Sequence, residues 1–125
     1  MPDASVARFR GHKYISLETF KRNGQGVRTP VWFVSHNDAL YVYTEADSWK
    51  VKRIRNHPRV RVAVCSIRGT VKGEWADGSA SFVDGVERTV ADYLLTRKYW
   101  SKRVMNVFAR LNRRHQRVMI RIDLG

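Results

Sequence analysis

The chain has 125 residues, and 43% of them are hydrophobic, which suits one compact domain and is too high for a disordered chain. No apolar run approaches the roughly 20 residues of a membrane span, and the first residues lack the basic-then-apolar pattern of a signal peptide, so we expect one domain over residues 1–125, in the cytoplasm and away from membranes. The net charge of +13 indicates attraction to polyanions, either nucleic acid or a phosphorylated ligand with an anionic tail, although it could serve solubility alone.

Three strands are predicted in the first part of the chain. The first covers residues 14–20 and ends at a turn with two glycines, which permit the positive φ angles of a hairpin. The second covers residues 28–34 and is rich in β-branched and aromatic residues. A turn at residues 36–38 leads to the third strand at residues 39–44, which forms a hairpin with the second.

The pattern then changes to a helix and two further strands. Ser48 is placed to cap a short helix that runs to Asn56 and that Pro58 ends. A strand at residues 60–67 alternates valines with other residues, and Cys65 is expected to be a buried thiol there. Residues 71–83 predict a further strand that bends at the glycine in the middle.

Helices and one strand complete the predicted order. A helix begins after Asp84, with Glu87 in a position resembling a capping box and with Val86, Val90, Tyr93, Leu94 and Arg97 on one side. Another helix begins at Ser101, and residues 118–124 form the last strand. Six strands joined mainly as hairpins predict a mainly β protein with flanking helices, whose antiparallel sheet is closed or nearly closed.

Sequence motifs for catalysis by protein side chains are missing. The histidines at positions 12, 36, 57 and 115 have no metal-ligand spacing to one another or to Cys65, so no metal site is expected. No nucleophile elbow, Walker loop or dinucleotide fingerprint is found. If the protein is an enzyme, a cofactor therefore carries the reactive chemistry. Tyr41, Tyr43, His36 and Tyr99 are possible proton donors, but structural roles are favoured and no catalytic residue is assigned.

The segment from Thr44 to Pro58 is the most informative. Amide groups at a helix N-terminus bind phosphate, and Thr44 and Ser48 add hydroxyl donors while Lys50 and Lys52 add positive charge. Cations in a first helical turn oppose the helix dipole unless an anion is present. The same pattern also fits an ordinary basic surface helix with a serine cap. Trp32, in the preceding strand, either lies along a planar ring or packs in the core.

The order of these segments resembles the split β-barrel of the pyridoxamine-phosphate-oxidase-like superfamily. The resemblance rests on the run "RTPVWFVSHNDALYVYTEADSWKVKRIRNHPRVRVAVC", continues through "RGTVKGEWADGSASFVD", and ends with "RKYWSKRVMNVFARLNRRHQRVMIRIDL". It is greatest to the actinobacterial branch of oxidoreductases that depend on the deazaflavin coenzyme F420, and it covers residues 14–124.

The resemblance implies a six-stranded split barrel of the FMN-binding type and a homodimer, with the cofactor in a groove between the protomers. Thr44, Ser48, Lys50 and Lys52 would hold the cofactor phosphate, and Arg28, Thr29, Pro30, Val31 and Trp32 would line its ring. Coenzyme F420 is the first choice because the resemblance is greatest to that branch, and FMN is the alternative. Trp49 stands where flavin-type oxidases often have arginine after this serine, and this departure weakens the FMN interpretation. The implied reaction is hydride transfer between the deazaflavin and a small organic substrate.

Three alternatives remain at this point. An FMN-binding oxidase or flavin reductase could have the same fold, and so could a cofactor carrier without catalysis. A basic nucleic-acid-binding barrel would explain the 24 lysines and arginines and the four tryptophans. Because no nucleic-acid-binding motif accompanies them, we do not expect nucleic acid as a partner.

Overall fold

The computed structural model describes residues 6–99 and 116–125. The elements in chain order are β1 (Ile15–Phe20), β2 (Gly26–Val31), β3 (Val34–His36), β4 (Ala39–Glu45), α1 (Trp49–Asn56), β5 (Arg59–Val64), β6 (Ala76–Val83), α2 (Gly85–Lys98) and β7 (Arg117–Leu124). The helix predicted from Ser101 lies outside the described residues.

The strands form one antiparallel sheet that curls into a half-barrel. Its seven strands follow the order β2-β1-β5-β6-β7-β4-β3. Strand β7 is inserted between β6 and β4, so the end of the chain pairs with the middle of the sheet. The mainly β, antiparallel fold is therefore confirmed, with seven strands in place of the six predicted.

The extra strand arises because the strand predicted at residues 28–34 breaks in two. Strand β2 ends at Val31 and β3 begins at Val34, with Phe33 between them. The backbone N–H of Phe33 donates to the hydroxyl of Tyr99 at 2.9 Å, and its carbonyl accepts from Lys98 Nζ at 2.8 Å. These bonds direct the backbone at Phe33 toward α2 and away from a continuous strand ladder.

Two other strand boundaries also differ from the prediction. Strand β5 stops at Val64, and β6 begins only at Ala76, so the strand predicted at residues 71–83 is shorter. Gly69 adopts a φ of 90° in the turn between them, and Cys65 forms an isolated bridge with Val71. The predicted burial of the Cys65 thiol is confirmed, and this burial raises its pKa.

Both described helices begin where the sequence predicts, but one packs with an unexpected face. The Ser48 hydroxyl accepts from the N–H of Val51 at 3.4 Å at the start of α1. On α2, Val86 is 81% exposed and Tyr93 is 58% exposed, so the predicted apolar side packs only in part, with Leu94 against the core. Small Ala91 and neighbouring Leu95 are buried in their place, because they fit closely against the sheet.

The core has two parts, one on each side of the curled sheet. The larger cluster fills the half-barrel beneath α1 and includes Ile15, Leu17, Val60, Val62 and Ile122. The smaller one lies under α2 and includes Tyr41, Leu95 and Met119. Neither of the helices described has the length and apolar content needed to cross a membrane. The half-barrel thus provides a rigid support on which α1 and the ends of β4 and β7 are fixed.

Lys98 gives the fold a testable pH dependence. Burial lowers the pKa of this lysine to about 8, whereas lysine in an unfolded chain has a pKa of about 10.4. Between these values the unfolded chain binds more protons than the folded one, so this group makes the free energy of unfolding rise with pH. We expect this rise to disappear in Lys98→Met.

Denaturant titrations of both proteins at about pH 7 and about pH 9.5 check this expectation. The difference between wild type and variant isolates Lys98 from Cys65, whose raised pKa acts in the opposite direction. Parallel pH dependence in the two proteins would show that Lys98 does not titrate in this window.

Candidate functional site

A surface cavity of about 360 Å³ lies where β4 ends, α1 begins and β7 begins, and we call it the β4–α1 cavity. The residues that line it are Val31, Trp32, Tyr43, Thr44, Glu45, Ser48, Lys50 and Arg117. Five of these, Val31, Trp32, Thr44, Ser48 and Lys50, belong to the predicted site. The structure therefore brings both predicted parts, the end of β2 and the start of α1, to one place.

Lys50 is the first cation of this cavity. It is half-buried on the first turn of α1, and burial together with the nearby Arg53 guanidinium lowers its pKa, while Glu45 acts in the opposite direction. Both Val51 and Lys52 donate their backbone N–H groups to Ser48. The N–H groups that precede them, as in any first helical turn, lack intrahelical acceptors. A partly desolvated ammonium beside such amides suits an anion.

Arg117 is the second cation, and the sequence analysis missed it. It reaches the cavity because β7 pairs with β4, which places Arg117 opposite Glu45 and Val118 opposite Thr44. Its guanidinium carbon lies 4.3 Å from the centre of the Tyr43 ring, and burial lowers its pKa. No local pattern around residue 117 signals this role, since it depends on pairing between strands about 70 residues apart in sequence.

Trp32 forms an aromatic wall of the cavity. Its ring stacks on Tyr99 with 5.0 Å between centroids and 18° between planes. The Tyr99 hydroxyl accepts from the Phe33 N–H and lies within donating distance of the carbonyls of Phe33 and Lys13. Tyr99 thus fixes the side chain of Trp32 and the backbone beside it. The indole is half-buried, so part of it packs against the protein and part of it faces the cavity.

The remaining predicted residues of β2 lie around this cavity without lining it. Pro30 borders a neighbouring depression together with Val31 and Trp32. The Thr29 hydroxyl oxygen is buried and has no hydrogen-bond partner among the described residues. Arg28 does not line the cavity, and it pairs instead with Glu18 at 3.1 Å and lies over Trp75. The structure therefore separates Arg28 from the cavity.

Lys52 also lies elsewhere. Its ammonium group is 4.5 Å from the centre of the Trp49 ring, and both side chains line a second, larger groove on the other side of α1. Successive helical residues are about 100° apart, so Lys50 and Lys52 differ by about 200° around the axis. The two lysines therefore serve different surfaces.

The three tyrosines among the possible proton donors have structural partners, as shown above for Tyr99. Tyr41 donates to Glu87 at 2.5 Å, which replaces the predicted capping role of Glu87, and burial raises the pKa of Tyr41 to about 12. Tyr43 accepts from Arg88 at 3.0 Å. Within residues 6–99 and 116–125, no three histidine, cysteine or acidic side chains gather to hold a metal ion.

Solved structures share this fold across nearly the whole chain. A conserved hypothetical protein of Mycobacterium tuberculosis is 22% identical with a TM-score of 0.69, covering 97% of this chain and 79% of its own. The haem storage protein HutZ of Vibrio cholerae is 14% identical with a TM-score of 0.73, covering 98% and 89%. An FAD-binding protein of Mesorhizobium loti is 18% identical with a TM-score of 0.68, covering 98% and 86%. These likenesses establish the fold.

Sequence comparison assigns the family. No curated protein matches the chain. The family described as pyridoxamine 5'-phosphate oxidase matches it over residues 1–125, which is its whole length. The half-barrel, the order of its strands and the full-length match agree with one another, and the chain belongs to the pyridoxamine 5'-phosphate oxidase family.

Proposed function

We propose that this protein is an oxidoreductase that holds a phosphorylated flavin-type cofactor in the β4–α1 cavity, with coenzyme F420 as first candidate and FMN as second. The observation that carries the proposal is the convergence of Lys50, Arg117 and the hydroxyls of Thr44 and Ser48 beside the indole of Trp32. A cofactor with a phosphate group at one end and a flat ring at the other matches these two halves of the cavity.

The donor set fits a phosphate. Two cationic side chains, one from α1 and one from β7, face the cavity. Charge-assisted hydrogen bonds to phosphate are stronger than hydrogen bonds between neutral groups. Among the described residues, Glu45 is the one acid in the lining, and it lies opposite Arg117 in the sheet, so it can orient that guanidinium. Lys52 is left out of this set because it lies over Trp49 in the other groove.

The chain contributes binding, orientation and exclusion of water. When bound, a flavin or deazaflavin supplies a ring atom that gives or receives a hydride. Lys50 and Arg117 hold the phosphate end and so fix the position of the ring along β2. Trp32, supported by Tyr99, covers one side of the ring site and keeps water from it. Tyr41 donates its hydroxyl proton to Glu87, and Tyr43 accepts from Arg88, so these bonds are structural and neither tyrosine is assigned as a proton donor.

A second copy of the chain completes the site. A cavity of about 360 Å³ lies at the small end of ligand-site volumes, and bound ligands have about 70–90% of their surface buried. An open cavity of this size holds the phosphate but leaves most of a tricyclic ring uncovered. A homodimer with the cofactor between its protomers provides the missing wall. Sedimentation of the protein with and without cofactor tests this, and a monomer that binds the cofactor tightly would contradict it.

Coenzyme F420 is preferred to FMN for two reasons. The residue after Ser48 is Trp49, where flavin-type oxidases that the sequence resembles often have arginine. The net charge of +13 also favours a cofactor whose phosphodiester continues into an anionic tail. Flavins remain a real alternative, since one protein of the same fold is an FAD-binding protein.

Titration of the purified protein with F420 and with FMN decides between the two cofactors. We expect tighter binding of F420, and its affinity should fall as ionic strength rises because charge contributes to it. Tight FMN binding without F420 binding would assign the alternative, an FMN-dependent oxidase or flavin reductase. Binding without turnover of any reducible substrate would assign a carrier, and binding of neither cofactor would contradict the proposal.

A further inference from the structure

A groove of about 890 Å³ lies between α1 and the turn that joins β1 to β2, and we call it the Trp49 groove. Its apolar side chains are Phe20, Val27 and Trp49. Trp49 is 69% exposed although it is the largest side chain of α1. The volume matches that of sites for one small molecule, which are about 300–1,000 Å³.

The charged side chains that line this groove are all basic in the part of the chain that the structure describes. Five cations line it there and no acid does, and they are Lys21, Arg22, Lys52, Arg53 and Arg55. None of the five forms an ion pair within residues 6–99 and 116–125. The arginines at positions 28, 59, 61, 88 and 121, in contrast, each have a carboxylate partner. Mutual repulsion among unpaired cations is relieved by an anionic ligand.

Several of these groups are already fixed in place. Arg53 donates to the Thr19 hydroxyl at 2.7 Å, which anchors its guanidinium to β1. The Arg55 guanidinium lies over the Phe82 ring, and the Lys52 ammonium lies over Trp49. Preorganised donors of this kind lower the entropy cost of binding.

We propose that the Trp49 groove is a second ligand site, separate from the β4–α1 cavity, that binds a planar aromatic molecule carrying two or more negative charges, of the nucleoside diphosphate type. The indole of Trp49 stacks on the ring. Lys52 and the arginines around it hold the charged end. The size of the groove favours a single nucleotide over a nucleic acid strand, although both share this chemistry. The proposal does not depend on which cofactor the other cavity binds.

Isothermal titration calorimetry of the full chain with ADP tests the site. We expect one ADP per chain, and we expect both adenosine and pyrophosphate to bind at least about tenfold more weakly, because each lacks half of the recognised chemistry. Trp49→Ala should weaken ADP binding about fivefold or more, which is the effect of losing one stacking side chain. Lys52→Gln should also weaken it and reduce its dependence on salt.

A matched control exists on α2. Tyr93 and Arg97 form the same kind of exposed aromatic–cation pair, at 5.8 Å, outside the lining of this groove. The double variant Tyr93→Ala with Arg97→Gln should leave ADP affinity unchanged. Lys50→Gln, which we expect to weaken FMN binding, should change ADP affinity less than Lys52→Gln does, because Lys50 lines the β4–α1 cavity instead.

Several results would overturn the proposal. Equal affinity for pyrophosphate and ADP would show that the groove binds anions without recognising the ring. Unchanged affinity in Trp49→Ala would exclude stacking. If FMN displaces ADP, and Lys50→Gln loses binding of both molecules, ADP binds at the cofactor site and not in the Trp49 groove. A thymidine pentanucleotide that binds more than about a hundredfold tighter than ADP would assign the groove to single-stranded nucleic acid. No ADP binding at all would contradict it directly.

Discussion

Replacing Lys50 with glutamine is expected to weaken FMN and F420 binding by about tenfold to a hundredfold, because a hydrogen bond to a charged group contributes about 1.5–3 kcal/mol. Glutamine keeps most of the length of the lysine side chain and can still donate a hydrogen bond. The loss of affinity therefore measures the contribution of the positive charge. The side chain is half-buried at the mouth of the β4–α1 cavity, and solvent screens it less than an exposed lysine. Fluorescence or calorimetric titration measures the change.

Lys52→Gln is the matched control, since it removes the same charge from the same helix. Its ammonium lies over Trp49 on the other side of α1, so FMN affinity should stay within about twofold of wild type. Equal losses in the two variants would mean that only the overall field matters, and the assignment of Lys50 to the phosphate would be wrong.

The same site predicts how binding depends on pH. Burial and Arg53 lower the pKa of Lys50, so the free protein loses this positive charge at a lower pH than an ordinary lysine does. Affinity for the phosphate should therefore fall in the alkaline range, and the fall should be absent in Lys50→Gln. An identical alkaline loss in both proteins would place the titrating group elsewhere.

Replacing Tyr99 with phenylalanine is expected to lower the free energy of unfolding by about 1–3 kcal/mol, the cost of leaving a buried polar group without its partner. The hydroxyl accepts from the Phe33 N–H at 2.9 Å and is also within donating distance of the carbonyls of Lys13 and Phe33. Tyr99 is 7% exposed, so water cannot easily replace the hydroxyl. Denaturant unfolding followed by circular dichroism measures the loss.

Tyr93→Phe, within α2, provides the comparison, since Tyr99 directly follows the end of that helix. Its hydroxyl accepts from Arg97 at 3.2 Å at the surface, where solvent can take over, and the change should stay within about 0.5 kcal/mol. The phenylalanine at position 99 can still stack on Trp32. The free energy of cofactor binding should therefore change less in Tyr99→Phe than the free energy of unfolding does. Equal unfolding free energies for the two variants would show that the Tyr99 hydroxyl does not stabilise the break between β2 and β3.

The sequence correctly predicted the features of the site that depend on residues close together in the chain. The hydroxyl of Ser48, the start of α1 and the end of β4 at Thr44 and Glu45 lie within a few residues of each other, so their proximity could be inferred directly. The two lysines of α1 show the limit of counting charges. Their separation of about 200° around the axis follows from helix geometry and could have excluded Lys52 from the sequence alone.

Long-range contacts set the features that the sequence did not predict. Arg117 enters the cavity only through the pairing of β7 with β4. The break at Phe33 depends on Tyr99, which is 66 residues further along the chain. The buried side of α2 depends on which side chains fit the sheet, and small Ala91 fits where Val86 does not. Each of these follows from tertiary packing, which overrides local periodicity.

The most direct measurement compares each cofactor with its phosphate-free form, FMN with riboflavin and F420 with its bare deazaflavin ring, in wild type and in Lys50→Gln. If the β4–α1 cavity holds the phosphate, wild type should prefer the phosphorylated form by about a hundredfold or more, and Lys50→Gln should lose most of that preference. Equal affinity of wild type for the phosphorylated and phosphate-free forms would contradict the site.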